Sequence, residues 1–150
     1  MKRARIGVIA AAILAVATIA WAQKPDFSGT WQLDPEQSQM GGGGRGGGGM
    51  AQMTVKQTAE MLTVERQGRG GTVSTTYKLD GSESVNTVTG RGGESMEQRS
   101  TAKWDGAKLV VVTKTGETES TQTWSLANGM LTIERTGGRG PSKAVYKKTT

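Results

Sequence analysis

Two arginines carry the chemistry that this sequence offers. Arg66 ends the alternating run Leu62-Val64-Arg66, and Arg135 ends its near copy, Leu131-Ile133-Arg135. Both runs belong to twin stretches, MLTVERQGRGG from Met61 to Gly71 and MLTIERTGGRG from Met130 to Gly140. In an extended strand, residues two apart share a face. Each run therefore sets a guanidinium on the apolar face, at the end of its strand. Two readings follow. Inside the mouth of a cavity, the pair would grip a carboxylate or phosphate by forked, charge-assisted hydrogen bonds. At a rim, both side chains would snorkel to water. The sequence leaves both open.

Other chemistries are excluded or weakly supported. The chain has neither histidine nor cysteine. That removes Ser-His-Asp and Cys-His nucleophilic sites and His-based zinc. Acidic residues are scattered singly, and no inward carboxylate pair of the kind glycoside hydrolysis needs is visible. Met40, Met50 and Met53 offer soft thioethers that suit Cu(I), but read better as loop and strand-edge fillers. The arginine-glycine segments resemble tracts that coat single-stranded nucleic acid. No aromatic residues are interleaved with them, so they read instead as soluble loops. We expect a binding protein and not an enzyme, with no catalytic residue, no metal, no cofactor and no nucleic-acid partner.

The first 22 residues form a separate unit. Lys2, Arg3 and Arg5 precede the apolar run from Ile6 to Ala20, and Ala20-Trp21-Ala22 is a small-x-small cleavage site. This is the pattern of a secretory signal peptide. The run is shorter than the ~20 apolar residues a spanning helix needs. The mature chain, 23–150, is then one domain's worth, with no membrane span, acting as a periplasmic or secreted monomer. Loss of the three basic residues lowers the formal net charge from +6 to +3. Without cysteine no disulfide can hold the fold, so the core and backbone pairing must do so.

The elements that position the arginines are strands. Short runs rich in Val and Thr alternate with Gly and Asp, which is the strand and turn pattern. Ten strands are predicted, at 27–34, 52–58, 61–67, 72–79, 82–89, 95–104, 107–114, 118–126, 130–136 and 143–149. Ala59-Glu60, Asp80-Gly81, Asp105-Gly106 and Ala127-Asn128-Gly129 are tight connections; Asp-Gly and Asn-Gly suit hairpins whose central residues need positive φ. The remaining connections are loose and rich in glycine. Tight and loose alternate along the chain, so an up-and-down meander gathers all tight turns at one end. Phe27, Trp31, Trp104 and Trp124 gather near that end, which should be plugged. The arginines approach the other end, with Met96 and Thr113 at similar height and Gln98, Ser100 and Thr87 also facing inward. A half-polar interior needs walls, which points to a sheet curled into a barrel. Between Met40 and Met50 the loop is almost pure glycine. Nothing there can be buried to offset the ordering cost, so disorder is expected.

Phe27-Ser28-Gly29-Thr30-Trp31 resembles the Gly-x-Trp first strand of lipocalins and their fatty-acid-binding relatives. From Asp26 to Tyr146 the chain looks like the secreted bacterial lipocalin-like proteins, with Lys103-Trp104-Asp105-Gly106 and Thr123-Trp124-Ser125-Leu126 preceding hairpin turns. The resemblance implies an all-β antiparallel barrel that binds small apolar or amphipathic molecules. It also implies that Trp31 plugs the closed end and that the loop 35–51 lies over the open one. A late basic residue, Lys147 or Lys148, would stack on Trp31. The sequence departs from the family in two places: fatty-acid-binding proteins carry a helical pair after the first strand, and glycine cannot hold a helix here, and without cysteine no lipocalin disulfide is possible. The expectation is an exported carrier of a small apolar or amphipathic anion, with Arg66, Arg135, Met96, Val64, Ile133 and Thr113 as ligand-binding residues. The alternative is a ligand-free envelope module that docks through its Arg/Gly-rich loop rim.

Overall fold

The computed structural model describes residues 23–40, 51–68, 70–90, 92–138 and 140–149. Residues 1–22, where a signal peptide is expected, and the glycine run 41–50, where disorder is expected, lie outside the described residues.

Ten strands follow one another along the chain: β1 (Gly29–Leu33), β2 (Gln52–Gln57), β3 (Met61–Gly68), β4 (Gly71–Lys78), β5 (Glu83–Thr89), β6 (Ser95–Asp105), β7 (Lys108–Thr115), β8 (Thr118–Ala127), β9 (Met130–Gly137) and β10 (Ser142–Lys148). Every predicted strand is present, with ends shifted by at most two residues. Among the described residues there is no helix. All pairings are antiparallel, in the order β4-β3-β2-β1-β10-β9-β8-β7-β6-β5. Sequence neighbours pair everywhere except between β4 and β5, and β1 joins β10, so the sheet curls until β4 and β5 meet as its two edges. Tight turns form where Asp-Gly and Asn-Gly predicted them. Asn128 and Gly129 both have positive φ, 54° and 73°, the backbone a two-residue hairpin needs to match the strand twist.

The β4–β5 seam closes without a ladder. The Asn86 side chain does the joining: its Oδ1 accepts from Thr76 N at 2.9 Å and its Nδ2 donates to Thr76 O at 2.9 Å. Ser84 Oγ accepts from Lys78 N at 2.7 Å. These bonds need Ser84 and Asn86 on the inward face of β5, with Val88 two residues further on. Thr87, expected to face inward, is therefore exposed on the outer face.

The tight-turn end is packed. Phe27 stacks on Trp104 at 5.9 Å between ring centroids and meets Trp124 edge-on at 5.7 Å. Trp31 is 1% exposed and donates from Nε1 to Phe27 O at 2.8 Å. Gln57 holds this plug against β2, accepting from Phe27 N at 2.9 Å and donating to Pro25 O at 3.1 Å. Lys148 Nζ lies 5.6 Å from the Trp31 ring centroid. Lys147 points the other way, because adjacent strand residues face opposite sides, and pairs with Asp34 at 2.9 Å.

Candidate functional site

Toward the other end the interior opens. β3 carries Arg66 inward, opposite Met53 of β2 and Val73 of β4, and β9 carries Arg135 inward, opposite Gln122 of β8 and Ser142 of β10. The neighbouring acids Glu65 and Glu134 occupy the alternate positions and so face outward. Glu65 is taken up by Lys56 at 3.0 Å. Both arginines are half-buried and line one cavity of about 300 Å³ with Val64, Tyr77, Gln122 and Trp124.

Neither guanidinium meets a carboxylate among the described residues. Arg66 Nε is buried with no hydrogen-bond partner. Its Nη2 has only the Met53 thioether at 3.6 Å, a weak acceptor. Burial, followed by the charge of Arg66, lowers the pKa of Arg135. Tyr77 and Tyr146 flank the pair. Burial raises both phenols, and the two arginines pull each back, Arg66 ahead of Arg135. Two cations, two phenols and no anion thus converge on one half-dry space. Such a space favours a negative guest, since an unpaired charge is costly once partly desolvated.

A strap crosses the β10 side of this space. Residues 34–40 leave β1 and lie beside β10, where Gln39 and Lys143 exchange two backbone hydrogen bonds of 2.7 Å. Ser38 Oγ donates to Asp34 O at 2.6 Å and accepts from Val145 N at 2.9 Å. Asp34, 5% exposed, accepts from Lys147 and from Gln37 Nε2 at 2.9 Å. The bond from Lys147 is the main reason its carboxyl sits below the usual range. The strap brings Met40 to a small hole of about 20 Å³ lined also by Arg66, Arg135, Ile133 and Tyr146.

Of the residues expected to bind a ligand, Val64, Arg66 and Arg135 line the main cavity and Ile133 lines the small hole beside it. Two lie elsewhere. Thr113 is buried, and its hydroxyl bonds Ser100 Oγ at 2.9 Å across the β6–β7 ladder, so the two polar groups satisfy each other. Met96, at the start of β6, borders a surface depression with Glu97, Arg99 and Lys114. Sequence reasoning missed Tyr77, Tyr146, Gln122 and Trp124 as cavity or arginine neighbours. The first was legible: Val73, Thr75 and Tyr77 alternate inward on β4. Among the described residues, no group of three acids forms a metal-binding cluster.

No family model matches the sequence, and no curated protein matches it. Solved structures do match. A REP1-NXSQ fatty acid transporter superposes with a TM-score of 0.63 at 16% identity, over 82% of this chain and 96% of that one. Fatty-acid-binding protein 1 of Echinococcus granulosus gives 0.62 at 12% identity, over 83% and 98%. The wild-type fluorescent protein UnaG gives 0.60 at 20% identity, over 82% and 97%. The fold is the ten-stranded calycin barrel of the fatty-acid-binding proteins. At such low identity the likeness speaks for the fold alone. In this barrel the segment that leaves β1 is the strap, residues 34–40.

Proposed function

We propose that this protein is an exported carrier of a small amphipathic anion. The acid group lies between Arg66 and Arg135, where the Tyr77 and Tyr146 hydroxyls can add hydrogen bonds, and the body rests against Val64 and Trp124. One observation carries the reading: two half-buried guanidiniums face the same cavity with no carboxylate partner among the described residues, and Arg66 Nε has no hydrogen-bond partner among them. The names of two structural neighbours, a fatty acid transporter and a fatty-acid-binding protein, support the same ligand class. Export rests on the N-terminal segment, and its check is the mass of the exported protein, which should begin at Gln23.

The binding test is titration with a panel of small organic acids, read by tryptophan emission, because Trp124 borders the cavity. Wild type should show saturable micromolar binding. Arg66→Ala with Arg135→Ala should weaken it at least about tenfold, equivalent to ~1.4 kcal/mol. Binding that ignores both changes would place the acid elsewhere. Failure of every acid would refute the carrier reading and return the ligand-free envelope module, docking through its loop rim.

A further inference from the structure

Beside and below the arginines the cavity wall is polar. Gln122 and Trp124 are two apart on β8 and share its inward face. Gln122 is 7% exposed and lines the cavity, and its amide makes no hydrogen bond with a described residue. The Trp124 indole lines the same space, and its Nε1–H is buried without an acceptor. On β6, Gln98 also lines the cavity, with one amide N–H committed to Thr115 Oγ1 at 3.3 Å. Thr75 adds a hydroxyl from β4. The void, about 300 Å³, stands at the low end of the ~300–1,000 Å³ common for small-molecule sites.

A methylene chain laid along this wall would cover the amides without satisfying them and would leave the already buried indole N–H unpaired, and each covered, unpaired polar group is a net loss. A body with its own acceptors and donors would satisfy them. An amide side chain both donates and accepts, and the indole N–H only donates. The wall therefore asks for at least one acceptor near Trp124 and accepts either polarity near Gln122.

Resting on the anion-carrier reading above, we infer that the ligand is a compact acid with a hydrogen-bonding body, such as an aromatic or heterocyclic carboxylate bearing a ring carbonyl or hydroxyl, and not a long-chain fatty acid. Its carboxylate meets Arg66 and Arg135. Its ring spans the cavity between Val64 and Trp124. Its distal oxygen takes the Trp124 N–H, and Gln122 bonds its edge.

The experiment compares four acids by isothermal calorimetry: a hydroxyquinoline carboxylate, naphthoate as its apolar counterpart of similar shape, decanoate and palmitate. Wild type should bind the hydroxyquinoline carboxylate at least about tenfold tighter than the other three. Gln122→Leu and Trp124→Phe, each checked for an intact barrel by circular dichroism, should each remove about tenfold of that preference, the measure of ~1.4 kcal/mol. Palmitate or decanoate binding as tightly as the hydroxyquinoline carboxylate, or tighter, would overturn the inference and leave the anion carrier standing. So would a preference that survives both substitutions. Absence of binding by all four acids would overturn the inference and the carrier reading together.

Discussion

Replacing Arg66 by methionine should make the empty barrel more stable and the carrier worse. The side chain is half-buried, its Nε has no partner, its Nη2 meets only a thioether, and Arg135 presents a second cation to the same space. A buried unpaired polar group costs ~1–3 kcal/mol. Half-exposure reduces that figure, so removing it should return about 1 kcal/mol. Methionine keeps most of the apolar stem against Met53, so little packing is lost. For a domain of this size, ~1 kcal/mol raises the melting temperature by about 3–5 °C. The assay is thermal unfolding of ligand-free protein by circular dichroism at low and high salt. Salt screens the repulsion between partly exposed charges, so the gain should shrink as salt rises. The ligand-bound state should answer in the opposite direction. At a concentration of ~100 Kd, the tightest acid of the panel should stabilise wild type by ~2.7 kcal/mol. A tenfold weaker Kd in the variant would leave ~1.4 kcal/mol at the same concentration. A lower melting temperature for empty Arg66→Met would refute the reasoning, since it would mean that the guanidinium is already held by favourable partners.

Three further outcomes are expected. Trp31→Ala should cost ~3–5 kcal/mol in urea unfolding, because the ring is 1% exposed and its N–H anchors Phe27; a near-neutral result would remove Trp31 from the plug. Asn86→Ala should lose both bonds to Thr76 and cost ~1–3 kcal/mol, with faster amide exchange at Thr76 while Leu109 on β7 stays protected; unchanged exchange would mean that the seam does not depend on this side chain. Asp34 is a carboxyl with a lowered folded pKa, so its stabilisation is present above the unfolded value of ~3.9 and lost as pH falls through the folded one. Asp34→Asn should therefore flatten the acid limb of the stability curve below pH ~4, and an unaltered limb would show that the Lys147 pairing adds nothing to folding.

Much of the barrel was legible because its signals are local. A period of two marks a strand whatever lies beside it, and Asp-Gly or Asn-Gly marks a hairpin because only certain residues accept positive φ. Those rules suffice for ten strands, for the alternation of tight and loose ends, and for the faces that turn Arg66, Arg135, Trp31 and Trp124 inward. The barrel's closure was not legible. Closing β4 against β5 is a contact between the two ends of a sheet, and it turned on Ser84 and Asn86, whose types alone suit a turn as well as a seam. The void was not legible either. Facing inward is a property of one strand, but facing empty space depends on which residues arrive opposite. Thr113 faces inward and meets Ser100, so it closes a gap, whereas Gln122 faces inward and meets no partner. The same limit separates Lys147 from Lys148. Alternation says that they point to opposite sides, but only the positions of Asp34 and Trp31 decide which lysine forms an ion pair and which covers an indole.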